Sequence, residues 1–154
     1  VGKTTVFHRF GDRDGLTGAL LDDYMRELQD GFLSGPPPLG PGAPPCERLE
    51  AFIVELVRCQ AEHLELALAA ETAPGEALAP AYGVPLLHIA TLIQEINPDL
   101  DARILAGFLL NAIAPQVLTR MRECPETSTE SLQAAARTLL RGIVAAPSED
   151  PRRR

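Results

Sequence analysis

The sequence predicts an all-α protein, and three observations carry that prediction. Apolar residues recur at spacings of three and four through most of the chain, the period of a helix with one buried face. Long alternation of apolar and polar residues is nearly absent, so strand signals are almost missing. Hydrophobic content of 45% beside 23% charged residues is that of a globular chain able to bury a core.

The 154 residues suit one domain, or one domain and a fragment of another. No apolar run approaches the ~20 residues of a membrane span and no basic-then-apolar leader opens the chain, so no membrane partner is expected. Cys46, Cys59 and Cys124 are odd in number and lack CxxC pairing. They point to reduced thiols in a cytoplasmic protein rather than to a disulfide scaffold or a zinc site. The net charge of −7 is a poor match for a complete nucleic-acid-binding surface. Val1 stands inside a motif, and the expectation is that further residues precede it.

The first long helix should begin at Asp12, a good N-cap, and run to Leu33. Leu16, Leu20, Tyr24, Leu28 and Phe32 form its stripe, widened by Ala19 and Leu21. "SGPPPLGPGAPP", residues 34–45, excludes helix and inner strand, because proline removes a donor and restricts the residue before it. An extended, polyproline-stiffened linker is predicted there. A helix over 46–71 follows, with an apolar arc of Leu49, Phe52, Ile53, Leu56, Val57, Leu64, Ala67 and Leu68, stopped by Pro74-Gly75. After a short helix or turn, another helix spans Val84 to Ile96 and ends at Asn97-Pro98.

A helix over Asp99–Arg122 is uncharged between Arg103 and Arg120. Such a helix is expected to be buried all round, with a second subunit covering the face that the core does not. The last helix should start at a capping box from Thr127 to Glu130. Leu110, Ile113 and Val117 of the uncharged helix and Leu132, Ala136, Leu139 and Ile143 of the last are therefore expected at an isologous homodimer interface, as a four-helix bundle. The competing expectation is that a further helix of the same chain covers this face.

The chain opens "VGKTTVFHRFGDRDGL". Gly-Lys-Thr-Thr is how a phosphate-binding loop ends, but such a loop needs a strand before it and parallel strands after it. No such strands follow. The stretch instead resembles the end of the helix-turn-helix of TetR-family transcriptional regulators: a short recognition helix, a turn, a basic residue and a leucine of the next helix. Val1, Lys3, Thr5, Val6, Phe7, Phe10, Arg13 and Leu16 carry the match, about a tenth of the chain. The rest agrees in architecture only.

The resemblance implies a TetR-like layout. Residues 1–33 would be the end of a DNA-binding head, 34–45 a linker, 46–146 a helical regulatory and dimerisation domain, and 147–154 a disordered tail. It also implies that Thr4 and Thr5 face bases or phosphates of double-stranded operator DNA, that Lys3 and Arg13 clamp phosphates, and that His8 adds a contact. Val6 and Phe10 would pack inside the head. Phe7 stands where the family has Tyr, leaving packing or sugar contact; Arg9 replaces a His and Thr4 a Gly. The function implied is that of a repressor relieved by a small apolar ligand in the helical body. The alternative is a helical dimerisation or protein-binding module without DNA function.

A ligand pocket in that body would be apolar, with a few polar groups converging on it. His63 lies on the stripe of Leu49 and Leu56, with Phe52, Cys59 and Gln60 on the same arc, and His88 sits among Leu87, Ile89 and Leu92. Asn111 is the single strong polar side chain of the uncharged run. Pro115, four residues on, should free the Asn111 carbonyl and kink the helix beside Phe108. Enzyme chemistry is not expected: there is no Ser-His-Asp order, nucleophile elbow or paired acid in an apolar setting. No cofactor is expected either, and His63, His88 and a carboxylate lack the paired spacing of metal ligands.

Overall fold

A computed structural model describes residues 13–72 and 78–145, and side chains over 23–68 and 83–145. Seven helices and no strand occur among them: α1 Arg13–Ser34, α2 Pro45–Glu62, α3 Leu64–Thr72, α4 Leu78–Ile96, α5 Ala102–Ala112, α6 Pro115–Arg122 and α7 Thr129–Val144. The chain is all-α. Residues 1–12 of the opening motif, the Pro74-Gly75 stop and the tail lie outside the described residues.

α2 is the central helix. Leu49, Phe52, Ile53, Leu56 and Val57 are almost wholly buried, and α1, α4, α6 and α7 all pack on it. The buried face of α1 is Leu28 and Phe32; α4 supplies Ile89, Leu92 and Ile93, and α7 supplies Leu132, Ala136 and Leu140. Two polar ties fix α7 to α2: Gln133 donates to the Val54 carbonyl at 3.1 Å, and Arg137 pairs with Glu50 at 3.2 Å. α5 lies on α4, and α6 on α3, with the Arg122 guanidinium donating to the Ala61 carbonyl at the end of α2.

Several expectations need correction. The proline-rich segment is not an extended linker. Gly35 N–H donates to Gly31 and Gly40 N–H to Pro36, both at 3.0 Å, folding the loop back on the end of α1. Glycine is needed for this: a Cβ on Gly40 would lie 1.8 Å from the Gly35 carbonyl oxygen. Leu39, at the loop's tip, packs against the core and holds it there.

The helix expected over 46–71 bends at His63, whose φ of −116° leaves the helical range, although the flanking bonds from His63 N–H to Cys59 and from Ala67 N–H to His63 persist. Neither proline nor glycine marks the bend; the His63 ring lies 3.6 Å from that of Tyr24. α4 starts earlier than expected, at Leu78, and carries Pro85 inside it. The expected helix over Asp99–Arg122 is two helices. Pro115 forces Ala114 into an extended conformation, ψ 148°, and restarts the chain as the first residue of α6. Taken as one piece, Ala102–Arg122 is long and apolar enough by composition to cross a membrane, with a mean hydropathy of 1.4; the break at Pro115 divides it. The capping box of α7 sits one residue later than expected, where Ser128 and Ser131 each accept from the other's backbone N–H.

Burial all round also fails. Ile104 and Phe108 of α5 are 56% and 68% exposed. The expected dimer surface changes with it. Leu110, Ile113, Leu132 and Ala136 are buried in the chain's own core and Ile143 packs against that core, because α7 turns its apolar face onto α2 and α5 turns its own onto α4. Val117 is half-buried, and Leu139 alone of the seven points outward, 52% exposed.

Candidate functional site

α1 packs on both α3 and α2, and aromatic and imidazole rings line its contact with the body at two levels. At the level nearer the loop, His88 of α4 stacks on Phe32 of α1, centroids 4.1 Å apart and planes 24° apart. Phe52 of α2 meets both rings edge-on, at 4.8 Å from His88 and 5.3 Å from Phe32. One of the helix-forming stripes of α1 thus ends in a three-ring cluster that joins three helices. At the outer level, Tyr24 of α1 lies against His63 at the bend after α2.

The polar atoms of this seam are buried and unsatisfied. Nε2 of His63, Nε2 of His88, Oε1 of Gln60 and Nε of Arg48 have no hydrogen-bond partner. Each such atom costs about 1–3 kcal/mol when left unpaired, and native folds leave few. Four of them lie along α2 and its neighbours, more than a fold usually leaves unpaired in one region. Burial, helped by the charge of Arg48, lowers the His88 pKa to about 4. The imidazole is therefore neutral near pH 7, able both to donate and to accept a hydrogen bond.

Beside the outer level stands a charged border. Arg58 bridges Glu55 and Glu62 on consecutive turns of α2, which holds the Glu55 carboxyl below its usual range. Cys59 is within 3.9 Å of Glu55 and is buried; burial first, and then the Glu55 charge, push its thiol up to about 11. Burial likewise raises the Tyr24 phenol, reinforced by Cys59 and Glu62. A thiol so far from ionisation is a packing group and not a nucleophile. No three His, Cys, Asp or Glu side chains come together as a metal site among the described residues.

Six of the eight residues expected to bind ligand fall on this side of the body. Phe52 and His88 meet directly, Cys59, Gln60 and His63 lie along the outer level, and Leu56 is core between the two. Phe108 and Asn111 do not belong. Phe108 faces outward, and Asn111 is exposed, its amide donating at 2.8 Å to the Gly107 carbonyl of its own helix. The chain breaks at Ile113 and Ala114 instead of carrying one kinked helix past Pro115. Sequence reasoning missed Arg48 and placed Tyr24 and Phe32 in the ordinary stripe of α1. Their signal is the eight-residue separation, which puts both rings on one side of α1 at two levels. Of the residues expected on DNA, Lys3, Thr4, Thr5, Phe7 and His8 lie outside the described residues; Arg13 opens α1, its side chain also outside them.

No family model, curated protein or solved structure matches this chain.

Proposed function

We propose that this chain is the sensing body, with the end of the DNA-binding head, of a TetR-like transcriptional regulator. It acts in the cytoplasm as a homodimer and as a repressor, releasing operator DNA when a small apolar molecule enters the seam between α1 and α2. One observation carries the reading: unpaired buried polar atoms on His63, His88, Gln60 and Arg48 accompany rings contributed by α1. α1 is the element that leads from the opening motif into the body. A ligand that bonds to either imidazole competes with the Tyr24 or Phe32 ring for the same space, and so favours a different position of α1. Operator affinity then falls by the ligand's differential affinity for the two positions.

Native mass spectrometry of the chain purified from cells, beside His63→Ala and His88→Ala, tests the pocket. A small molecule retained by the parent chain and lost from both variants is the expected result; retention by both variants removes these residues from the site. The DNA half is tested by a mobility-shift titration of the protein carrying a complete head against its own upstream DNA. Retardation that weakens steeply with salt is expected. Absence of retardation favours a helical interaction module without DNA function, the reading that the net charge of −7 supports.

A further inference from the structure

Arg48 is a cation without a counter-charge. Among the described residues three arginines are half-buried. Arg58 pairs with Glu55 and Glu62, and Arg137 with Glu50. Arg48 has no such pair, and its Nε is buried with no hydrogen-bond partner. Scarcity of acid is not the reason, since the chain has 21 acidic residues to 14 basic ones. A cation withdrawn from water is costly unless an anion meets it. Arg48 lies one turn before Phe52 on α2, and Phe52 meets both Phe32 and His88. Its charge is felt at the His88 ring, whose Nε2 is the second buried and unpaired nitrogen of this level.

We infer that the level of the seam nearer the loop takes an arylcarboxylate, its carboxylate on the Arg48 guanidinium and His88 Nε2 and its ring on the imidazole in place of Phe32. The inference rests on the sensing-body reading above and gives the small apolar molecule of that reading one negative charge. The planar fork of an arginine matches the two oxygens of a carboxylate, and a neutral imidazole can donate to one of them. One cation beside a neutral ring compensates one negative charge, so the second charge of a phosphate monoester would stay unpaired. The aromatic body follows from the rings: Phe32 stacks on His88 at 4.1 Å with planes 24° apart, and a flat ring that displaces it recovers the same stack. Binding also has a signature at His88. Among the described residues Arg48 is the charged group that bears on this imidazole; α1 and α2 otherwise face it with the uncharged Phe32 and Phe52, and α5 adds no charge. An anion on Arg48 offsets that charge and makes His88 easier to protonate.

Benzoate is the probe, with benzamide as its neutral counterpart and phenyl phosphate as the dianion. Each is titrated into the purified chain and followed by the histidine ring resonances, His88 being assigned through His88→Leu. Benzoate should saturate at one per chain and move the His88 titration midpoint upward from about 4. Benzamide and phenyl phosphate should bind at least about tenfold more weakly, as should benzoate to Arg48→Gln. Arg141→Gln, at an exposed arginine, should leave benzoate affinity unchanged. Circular dichroism verifies that Arg48→Gln folds, and the His88 titration of the parent chain tests the site without any variant. Absence of saturable benzoate binding, or unchanged affinity in Arg48→Gln, overturns the inference. A His88 midpoint that stays in place at saturation puts the anion elsewhere and overturns it as well. Benzamide bound as tightly as benzoate, and lost from His88→Ala, overturns the carboxylate but leaves the sensing reading standing; phenyl phosphate bound more tightly than benzoate overturns it in favour of a phosphate.

Discussion

Replacing His88 with leucine should flatten the dependence of stability on acid. In the folded chain the imidazole titrates near 4, against an ordinary value of 6.5, because burial among Phe32 and Phe52 and the charge of Arg48 oppose its protonation. The unfolded chain takes up that proton first. Below about pH 6.5 it therefore binds more protons than the folded chain, and stability falls as pH falls, levelling out near pH 4. Working the linkage through these two values, His88 alone removes about 2 kcal/mol between about pH 7.5 and about pH 5, and about 3 kcal/mol by the end of the window. Urea unfolding of parent and His88→Leu at both pH values measures the difference. Carboxylates such as Glu55 contribute to both chains alike and cancel in the comparison. At neutral pH the leucine chain should be as stable as the parent or more so, since it also removes an unpaired nitrogen. Equal acid slopes in the two chains would refute the burial of a neutral imidazole. A large loss at neutral pH would show instead that Nε2 has a partner within the chain.

The folded-back loop and the thiols give two further expectations. Gly40→Ala places a methyl where the Gly35 carbonyl stands and should cost about 1–3 kcal/mol, whereas Gly142→Ala, with open space around it in α7, should stabilise by up to about 1 kcal/mol; thermal melts that move alike for both would contradict the loop. A thiol-reactive chromophore at neutral pH should label exposed Cys46 and Cys124 at once and Cys59 only on unfolding, and prompt labelling of all three would show the seam beside Glu55 to be open.

Helical periodicity made the class and most of the helices legible. Leu49, Phe52, Ile53, Leu56 and Val57 declare their burial by spacing alone, and they are the centre of the core. Proline was read correctly as a helix breaker at 34–45 but not for what the chain does there. Six prolines suggest extension, while the fold is decided by two glycines that let backbones touch and by a single leucine with a core to reach. At Pro115 the expected kink became a break, since proline also fixes the conformation of the residue before it. The surface of α5 was misjudged for another reason. An uncharged helix shows that something apolar is tolerated on every side, not that the same chain provides it, and Phe108 is the residue on which the two differ. In the seam, polar residues on an apolar stripe singled out His63 and His88, and the structure sets both against rings of α1. Their ring partners on α1, Tyr24 and Phe32, carry only the weaker signal of an eight-residue separation, because a tyrosine and a phenylalanine at stripe positions look the same whether they fill a core or face a histidine.

The clasp formed by Gly31, Gly35 and Gly40 gives α1 a fulcrum. Backbone pressed on backbone pins the C-terminal end of α1 to the loop that leads into α2, which makes that end the natural pivot of the helix. Phe32 sits close to the pivot, Tyr24 roughly 12 Å out along the axis and Arg13 roughly 28 Å out, at 1.5 Å per residue. A displacement imposed on the Tyr24 ring therefore arrives at the far end of the helix magnified about twofold, while the same displacement at Phe32 is magnified many times more. On the proposed reading, a ligand at His88 would act on α1 close to the pivot and one at His63 further out, at different mechanical advantage.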